Sequence, residues 1–350
     1  MRRSLRRFLR KRGATHDEID NAARHDYLPL LVLDREVLPG GRDFTMSQLA
    51  ERAGTDIETA RALWHAIGFP DLPDNLPVFT AADVEALRAF MRRIETGSVF
   101  DWTLERALAQ ARVMSASLAR VADAETDELS HSIHLAREAG IEDEDLADLL
   151  ARRLDFDAIA QLIDHAHRLQ LRAALWRRLA GTTATTPGTI IGAVGFVDLV
   201  GYTALAEDLD SAELSALVAR FGDIAHDAVV AEGGRIVKLI GDEIMFVTDT
   251  PLAAARTAVL LTERSKGDDM LPKVRAGVAY GNLLARDGDY FGPVVNLASR
   301  LTDLARPGSA LASAELVAAL APASGITARR IATRRVRDIG RVEVYRLKRD

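Results

Sequence analysis

Two aspartates stand directly behind apolar runs that are typical of buried β-strands. Asp198 closes the run that starts at Val194, and Asp242 follows the run from Ile236 to Gly241. A single aspartate in such a position is more often a helix cap or a turn former. Two carboxylates that meet at neighbouring strand ends are, however, the ligands with which a pair of hard divalent cations grips a nucleotide's phosphates. The pairing therefore indicates an enzyme that acts on a phosphorylated nucleotide.

A third segment contributes polar groups that suit the same chemistry. Residues 288–292 form a glycine-containing loop, and Pro293 is well placed in the first turn of a helix. Asn296 and Arg300 then stand four residues apart, on one face of that helix. Such a pair alone is more often a solvated surface. Arginine is nevertheless the side chain best suited to the charge of a phosphoryl transition state.

The elements around these residues alternate in type. Apolar, β-rich runs occupy 190–197, 235–240, 243–248 and 273–280, and helical patterns occupy 203–208, 211–231, 251–265 and 293–305. This alternation predicts a layered α/β or α+β domain. Gly241 and Asp242 suit a tight hairpin turn, so we expect the Asp242 carboxylate to project from its tip. The order strand–helix–hairpin–helix–strand is that of a ferredoxin-like core.

The first half of the chain is predicted to be almost entirely helical. Periodic apolar residues place helices near 15–26, 46–52, 57–67, 80–95, 103–122, 126–139, 143–152 and 155–180. The run from Leu28 to Leu33 fits a strand, a helix or buried coil. Residues 181–188 combine threonines with proline and glycine and predict a linker. We therefore expect an all-α domain at 1–180, a linker at 181–188 and an α+β domain at 189–350.

Composition excludes several classes of protein. The 350 residues suffice for two domains, each with its own core. The absence of cysteine excludes disulfides, zinc-thiolate sites and thiol nucleophiles, and a net charge of −6 argues against a general nucleic-acid binder. No apolar stretch reaches the roughly 20 residues of a membrane span, so we expect a cytoplasmic protein. The basic residues 1–12 predict a helix that docks Leu5, Phe8 and Leu9 or contacts an anionic membrane.

Residues 189–350 resemble the catalytic domain of class III adenylyl cyclases. The resemblance is spread over three separated motifs and covers nearly half of the chain. It implies that Asp198 and Asp242 are the metal ligands and that Lys238 and Asp289 select adenine. It also implies that Asn296 orients the ribose and that Arg300 stabilises the transition state. The implied cofactors are two divalent cations, Mg²⁺ or Mn²⁺, in each active site.

The implied reaction converts ATP into 3′,5′-cyclic AMP and pyrophosphate. A lysine donor and an aspartate acceptor complement the ring nitrogen and the 6-amino group of adenine, whereas guanine reverses the chemistry of the 6-position. A guanylyl cyclase remains the alternative. Diguanylate cyclases share the core, but they carry two glycines where this chain has Ile240-Gly241. The family also uses a second cation on the triphosphate, for which Arg337 is a candidate.

The resemblance also implies a homodimer. In this family, the two aspartates of one protomer act with the lysine, aspartate, asparagine and arginine of the other. One chain here carries both sets, which implies two equivalent composite sites in a head-to-tail pair and a nearly inactive monomer.

The all-α half invites a regulatory hypothesis. It holds seven of the eight histidines, namely His16, His25, His65, His131, His134, His165 and His167. Histidine is the side chain whose unperturbed pKa lies nearest to neutrality. A helical domain before a cyclase also resembles soluble actinobacterial cyclases, some of which respond to pH. We therefore hypothesise that the helical domain restrains the cyclase and that mild acid relieves the restraint. A fatty-acid or lipid pocket among the apolar helices is a further possibility.

A DNA-binding module is the rival from another class. Residues 44–54 and 57–64 have helix-turn-helix spacing, with Gly54 at the end of the first helix. The second helix begins at an acidic Asp56-Ile-Glu58 and offers few side chains that read bases. We therefore predict a fold used for packing, without nucleic acid as a partner.

Overall fold

The computed structural model describes residues 3–97, 102–180, 188–321, 324–336 and 340–350. The chain forms two compact units, Met1–Leu169 and Gln170–Asp350. Most of the predicted linker, residues 181–187, lies outside the described residues, so the boundary between the predicted domains stays a prediction.

The first unit is helical, as predicted. Its helices are α1 (Arg3–Lys11), α2 (His16–Arg24), α3 (Leu28–Val37), α4 (Met46–Ala53), α5 (Ile57–Ala66), α6 (Ala81–Gly97), α7 (Leu104–Glu138) and α8 (Asp143–Arg153), followed by α9 (Phe156–Ala180), which runs on into the second unit. The ambiguous run at Leu28 is a helix with Pro29 in its first turn. Two helices predicted at 103–122 and 126–139 are one helix, because no glycine or proline interrupts α7.

Two apolar clusters hold most of the described helices of the first unit. In one cluster, Leu5 and Leu9 of α1 are buried against Ile19 and Val32. The predicted docking of the basic N-terminal helix is therefore confirmed. In the other, α4, α5 and α6 pack around Phe79, and Gly54 ends α4 in the left-handed conformation at a φ of 78°.

The second unit is a mixed sheet with helices on its faces. Its elements are β1 (Thr189–Leu199), α10 (Tyr202–Asp208), α11 (Ser211–Ala231), β2 (Arg235–Ile240), β3 (Glu243–Thr248), α12 (Pro251–Arg264), β4 (Val274–Arg286), β5 (Asp289–Phe291), α13 (Pro293–Leu304), β6 (Ala310–Ser313), α14 (Ala314–Ala318), β7 (Ile326–Val336) and β8 (Gly340–Arg349). The strand order is β2-β3-β1-β4-β6-β8-β7, and β5 pairs with β4. The first four strands with α11 and α12 form the predicted ferredoxin-like core. Strands β5 to β8 extend it and were not predicted.

The two faces of the sheet bury different helices. Helices α11 and α12 cover the face that carries Ala193 and Val197. Helix α13 covers the other face, where its Ala298 packs with Val194 and Phe196. Gly277 permits this close approach, because a Cβ there would lie 2.3 Å from the backbone nitrogen of Thr302. The face under α13 carries the candidate site.

Within the described part of the chain, no helix is both long enough and apolar enough to span a bilayer.

Candidate active site

Asp198 and Asp242 meet at one end of the sheet. Asp198 lies near the end of β1 and pairs with Glu243 of β3 on one side and with Arg275 of β4 on the other. Asp242 follows Gly241, whose φ of 63° supplies the positive angle of a tight two-residue hairpin. The backbone nitrogen of Leu199 donates to the carbonyl oxygen of Asp242 at 3.2 Å. This bond ties the hairpin tip to the end of β1.

The electrostatics of this end are dominated by partly buried carboxylates. Asp198 is 9% exposed, and the guanidinium of Arg275 donates to its Oδ2 from Nε at 2.6 Å and from Nη2 at 2.5 Å. Burial raises the pKa of Asp198 above its ordinary value; the Arg275 guanidinium opposes this shift, while the adjoining Asp242 carboxylate adds to it. Two adjoining carboxylates that already draw a cation form a donor set that fits divalent metal.

Glu243 and Arg275 belong to this cluster, although neither was singled out from the sequence. Burial, followed by the nearby Asp198 and Asp303 carboxylates, raises the pKa of Glu243 to about 7. Glu243 directly follows Asp242, so its position could have been inferred from the turn. Arg275 could not, because its place opposite Asp198 depends on the register of β1 and β4. Within the described residues, no group of three or more His, Asp or Glu side chains forms a ready-made metal cage.

Lys238 and Asp289 form a direct ion pair. The Lys238 Nζ lies 2.6 Å from Asp289 Oδ2, and the backbone nitrogen of Tyr290 donates to Asp289 Oδ1 at 2.7 Å. Lys238 lies on the edge strand β2, whereas Asp289 begins β5, on the other side of β3 and β1. The pair therefore spans one face of the sheet. Both side chains remain partly exposed, at 39% and 29%, and are accessible to a ligand.

Asn296 and Arg300 lie one turn apart on α13, as the spacing predicted. Both side chains are exposed. Arg300 Nη1 lies 3.4 Å from Asp303 Oδ2, and the Asp303 carbonyl accepts from Arg275 Nη1 at 3.3 Å. Arg337, the candidate for a second triphosphate-binding cation, lies outside the described residues.

The candidate residues thus form separate groups in one chain. Among the residues that the structure describes, no hydrogen bond or ion pair joins the Lys238–Asp289 pair to Asp198 or Asp242.

The histidines of the first unit have a different setting. All seven are exposed. His65 Nε2 lies 2.9 Å from Asp71 Oδ1, and His134 Nε2 lies 3.4 Å from Glu138 Oε1. In the helix-turn-helix segment, Arg61 of α5 is paired with Asp74 at 2.8 Å. Arg61 thus already has a carboxylate partner within the segment, and the packing role of the segment stays a prediction.

The comparisons with known proteins agree over most of the chain. Residues 191–349 match the family model described as the adenylate and guanylate cyclase catalytic domain. An adenylate cyclase of Glutamicibacter nicotianae is 35% identical over 81% of this chain and 73% of its own length. An adenylate cyclase of Streptomyces coelicolor is 34% identical over 79% and 71%. A pH-sensitive adenylate cyclase of Mycobacterium tuberculosis is 31% identical over 99% of this chain and 88% of its own.

Proposed function

This chain belongs to the class III adenylyl cyclase family, and we propose that it converts ATP into 3′,5′-cyclic AMP and pyrophosphate at sites that two copies build together. The observation that carries the choice of ATP is the ion pair of Lys238 and Asp289 at 2.6 Å. When a nucleobase separates the two side chains, Lys238 offers a donor and Asp289 an acceptor. This is the pattern that adenine's ring nitrogen and 6-amino group require. The chain is thus an adenylate cyclase, and because cells hold ATP inside, the proposal includes a cytoplasmic location.

Class III cyclase domains are generally metal-dependent, and the acidic end of the sheet fits this requirement. Asp198 and Asp242 would hold two divalent cations, Mg²⁺ or Mn²⁺. Cations held there would supply positive charge that lowers the pKa of the ribose 3′-hydroxyl and neutralises the triphosphate. The support is the pair of adjoining carboxylates, of which Asp198 lies 2.5 Å from the Arg275 guanidinium. With cations on the carboxylates, Arg275 would be a candidate to bind phosphate oxygens; Arg337 remains the other candidate for this role.

The remaining residues position the nucleotide and balance its charge. Asn296 would orient the ribose, and Arg300 would neutralise the charge that builds on the α-phosphoryl oxygens as the 3′-oxygen attacks. Both side chains are exposed on α13. Their exposure suits a role toward a nucleotide held by a second copy of the chain.

We propose a homodimer because the candidate residues form separate groups within one copy. In each composite site, Asp198 and Asp242 of one copy would face Lys238, Asp289 and the α13 pair of the other. The support is that the aspartates and the Lys238–Asp289 pair share no bond among the described side chains of one copy. A head-to-tail pair with two-fold symmetry then contains two equivalent sites.

One assay tests the reaction. Purified protein is incubated with ATP or with GTP, each with Mg²⁺ or Mn²⁺, from pH 5 to 8, and cyclic nucleotide is measured. We expect cyclic AMP from ATP with a clear preference over GTP. Preferred formation of cyclic GMP would favour the guanylyl cyclase alternative, and the absence of any cyclic product would contradict the proposal.

The helical unit is proposed to regulate the cyclase in response to pH. The relative from Mycobacterium tuberculosis that matches 99% of this chain is named pH-sensitive, and seven exposed histidines lie within residues 16–167. Among them, His65 lies 2.9 Å from Asp71, which also lies 3.7 Å from Arg61. We propose that acid weakens a restraint that the helical unit places on the cyclase.

We propose a cleft in the first unit as the place where a fatty acid would bind. The cleft, of about 820 Å³, lies between α7 and the start of α9 and is lined by apolar residues that include Val121, Leu129, Phe156 and Ile159, and by the charged residues Arg120, Glu125 and Glu128. Its volume and the apolar part of its lining suit the chain of a fatty acid. Native mass spectrometry of the purified protein, with Ile159→Asp as the comparison, would reveal a bound fatty acid that the variant lacks.

A further inference from the structure

We infer that Arg235 and Tyr290 form a clamp that positions Asp289 opposite Lys238 and thereby sets the preference for adenine over guanine. The inference rests on the proposed role of the Lys238–Asp289 pair. Neither Arg235 nor Tyr290 is assigned to touch the nucleotide, so both act as positioning residues.

The need for a clamp arises from the strand that carries Asp289. Strand β5 has three residues, Asp289–Phe291, and its ladder pairs it with β4 alone. A strand this short gains little from its own ladder and frays unless its side chains are anchored. Asp289 must nevertheless present its carboxylate at a fixed place, because the choice between two bases depends on where one acceptor lies.

Tyr290 supplies the anchor. Its side chain is 8% exposed and packs in the apolar cluster under α13. Its backbone nitrogen donates to Asp289 Oδ1 at 2.7 Å, while Lys238 holds Oδ2 at 2.6 Å. The orientation of the Asp289 carboxylate is thus fixed by two donors. One is Lys238 Nζ on β2, and the other is the backbone nitrogen of Tyr290, whose ring is anchored in the apolar cluster.

Arg235 holds Tyr290 in two ways. Its guanidinium donates a short hydrogen bond to the Tyr290 hydroxyl, and its carbon Cζ lies 5.0 Å from the centre of the Tyr290 ring. Cation–π contact and a charge-assisted hydrogen bond both favour this arrangement. Arg235 and Lys238 therefore tie the same edge strand, β2, to two consecutive residues of β5.

A bulge in β2 makes the double contact possible. In a regular strand, residues three apart face opposite sides of the sheet. Here Arg235 pairs with Val247 and Lys238 pairs with Met245, because the register shifts by one residue between Ile236 and Lys238. The extra residue puts Arg235 and Lys238 on the same face. Bulges often change the direction of side chains next to active sites. This bulge places Arg235 of the clamp and the base-selecting Lys238 side by side on one face of β2.

The test compares conservative variants of the clamp with matched controls. Tyr290→Phe removes the hydroxyl but keeps the ring, and Arg235→Lys keeps the charge but loses the planar guanidinium. For both, we expect the ratio of kcat/KM for ATP over GTP to fall about tenfold, with KM for ATP raised and kcat within about twofold. The controls are Tyr345→Phe, which removes a hydroxyl that donates to Glu343 on β8, and Arg264→Lys on the exposed end of α12. Both controls should keep the wild-type ratio.

Thermal unfolding of each variant establishes that it is folded at the assay temperature. If wild-type protein forms cyclic AMP and both clamp variants keep an ATP-over-GTP ratio within twofold of it, the clamp is wrong while the proposed function stands. A loss of kcat with an unchanged ratio would also overturn it, since that is what general structural damage produces. If wild-type protein forms no cyclic AMP at all, the proposed function fails and the clamp fails with it.

Discussion

The two units of this chain hold their polar side chains in contrasting ways. In the second unit, the candidate residues lie at strand ends and on one sheet face, where Asp198 is 9% exposed and paired to Arg275 at 2.5 Å. In the first unit, the histidines lie on exposed helical surfaces, and His134 contacts only a carboxylate one turn away among the described residues. The first arrangement fixes geometry through the backbone, while the second leaves each side chain open to solvent.

This difference teaches where steep effects are to be expected. A charge that the fold holds in partly buried surroundings has few ways to adapt, so its removal changes the site at once. A solvated side chain has water as an alternative partner, so a single replacement is nearly neutral. Catalysis should therefore depend on individual residues of the second unit, and regulation by the first unit should depend on many residues jointly.

The largest effect is expected for residues placed in the composite sites. Asp198→Asn or Arg300→Ala alone should lower cyclase activity by about a thousandfold or more, because each removes charge stabilisation from both sites of the dimer. Mixed in equal amounts with exchange of subunits, half of the dimers combine the two variants and have one intact site of two. The mixture should then recover about a quarter of wild-type activity.

The control for this mixing experiment uses two variants of the same half-site. Asp198→Asn mixed with Asp242→Asn should recover nothing, because every composite site then lacks one aspartate. Recovery in this control, or none in the first mixture, would contradict the division of the site between two copies.

The next effect concerns base selection. Lys238→Glu replaces the donor of the base-selecting pair with an acceptor and sets two carboxylates against each other at Asp289. We expect kcat/KM for ATP to fall about a hundredfold, since a polar group facing the wrong partner is costly. Kinetics with ATP and GTP measure the change. Lys348→Glu, an exposed lysine on β8, is the matched control, and an equal loss there would show that the effect is only one of net charge.

These effects also show which parts of the site could be predicted from the sequence. Asp198 and Asp242 stand at the ends of apolar runs, so the local pattern alone places them at strand ends. The side of the sheet that Lys238 faces was beyond such reasoning, because strict alternation misses the bulge after Ile236. Arg275 was missed because its contact depends on strand register, which is set by pairing across 77 positions of sequence.

The missed strands have a related cause. Strand β7 contains Arg329 and Arg330 and lies at the edge of the sheet. Charged residues are common on edge strands, where they prevent pairing with a further strand. They also interrupt the apolar pattern by which a strand is recognised in a sequence. In the helical half, the local signals were sufficient for most helices, since periodicity and caps such as Thr45 act within one turn.

A moderate effect on stability is expected at Arg275. Arg275→Gln leaves the Asp198 carboxylate without its counterion. A fully buried pair would lose about 3–5 kcal/mol on such a change, but the Arg275 side chain is 32% exposed, so we expect about 1–2 kcal/mol. Urea unfolding without divalent metal measures the difference in the free energy of unfolding. Arg330→Gln, which breaks an exposed pair with Glu343, should cost less than about 0.5 kcal/mol. If both variants lose the same free energy of unfolding, the Asp198–Arg275 pair stabilises the protein no more than a surface ion pair does.

The smallest effect for each residue is expected in the first unit. Any one of the seven histidines replaced by glutamine should leave activity within about twofold at every pH, because each is solvated. All seven replaced together should behave differently. Glutamine stays neutral, so the variant keeps the form that histidine has above its unperturbed pKa of about 6.5. Under the proposed restraint, the seven-residue variant should keep its activity at pH 7.5 and lose the gain that wild-type protein shows at pH 5.5.

The histidine of the second unit supplies the control for this experiment. His226 is also exposed but lies on α11 of the cyclase, so His226→Gln should keep the wild-type pH profile. If the seven-residue variant also keeps that profile, the pH response originates in the cyclase unit, where partly buried carboxyls such as Glu243 already have a raised pKa. The second unit would then be responsible for both catalysis and the pH response. The exposed histidines of the first unit would have no part in sensing pH.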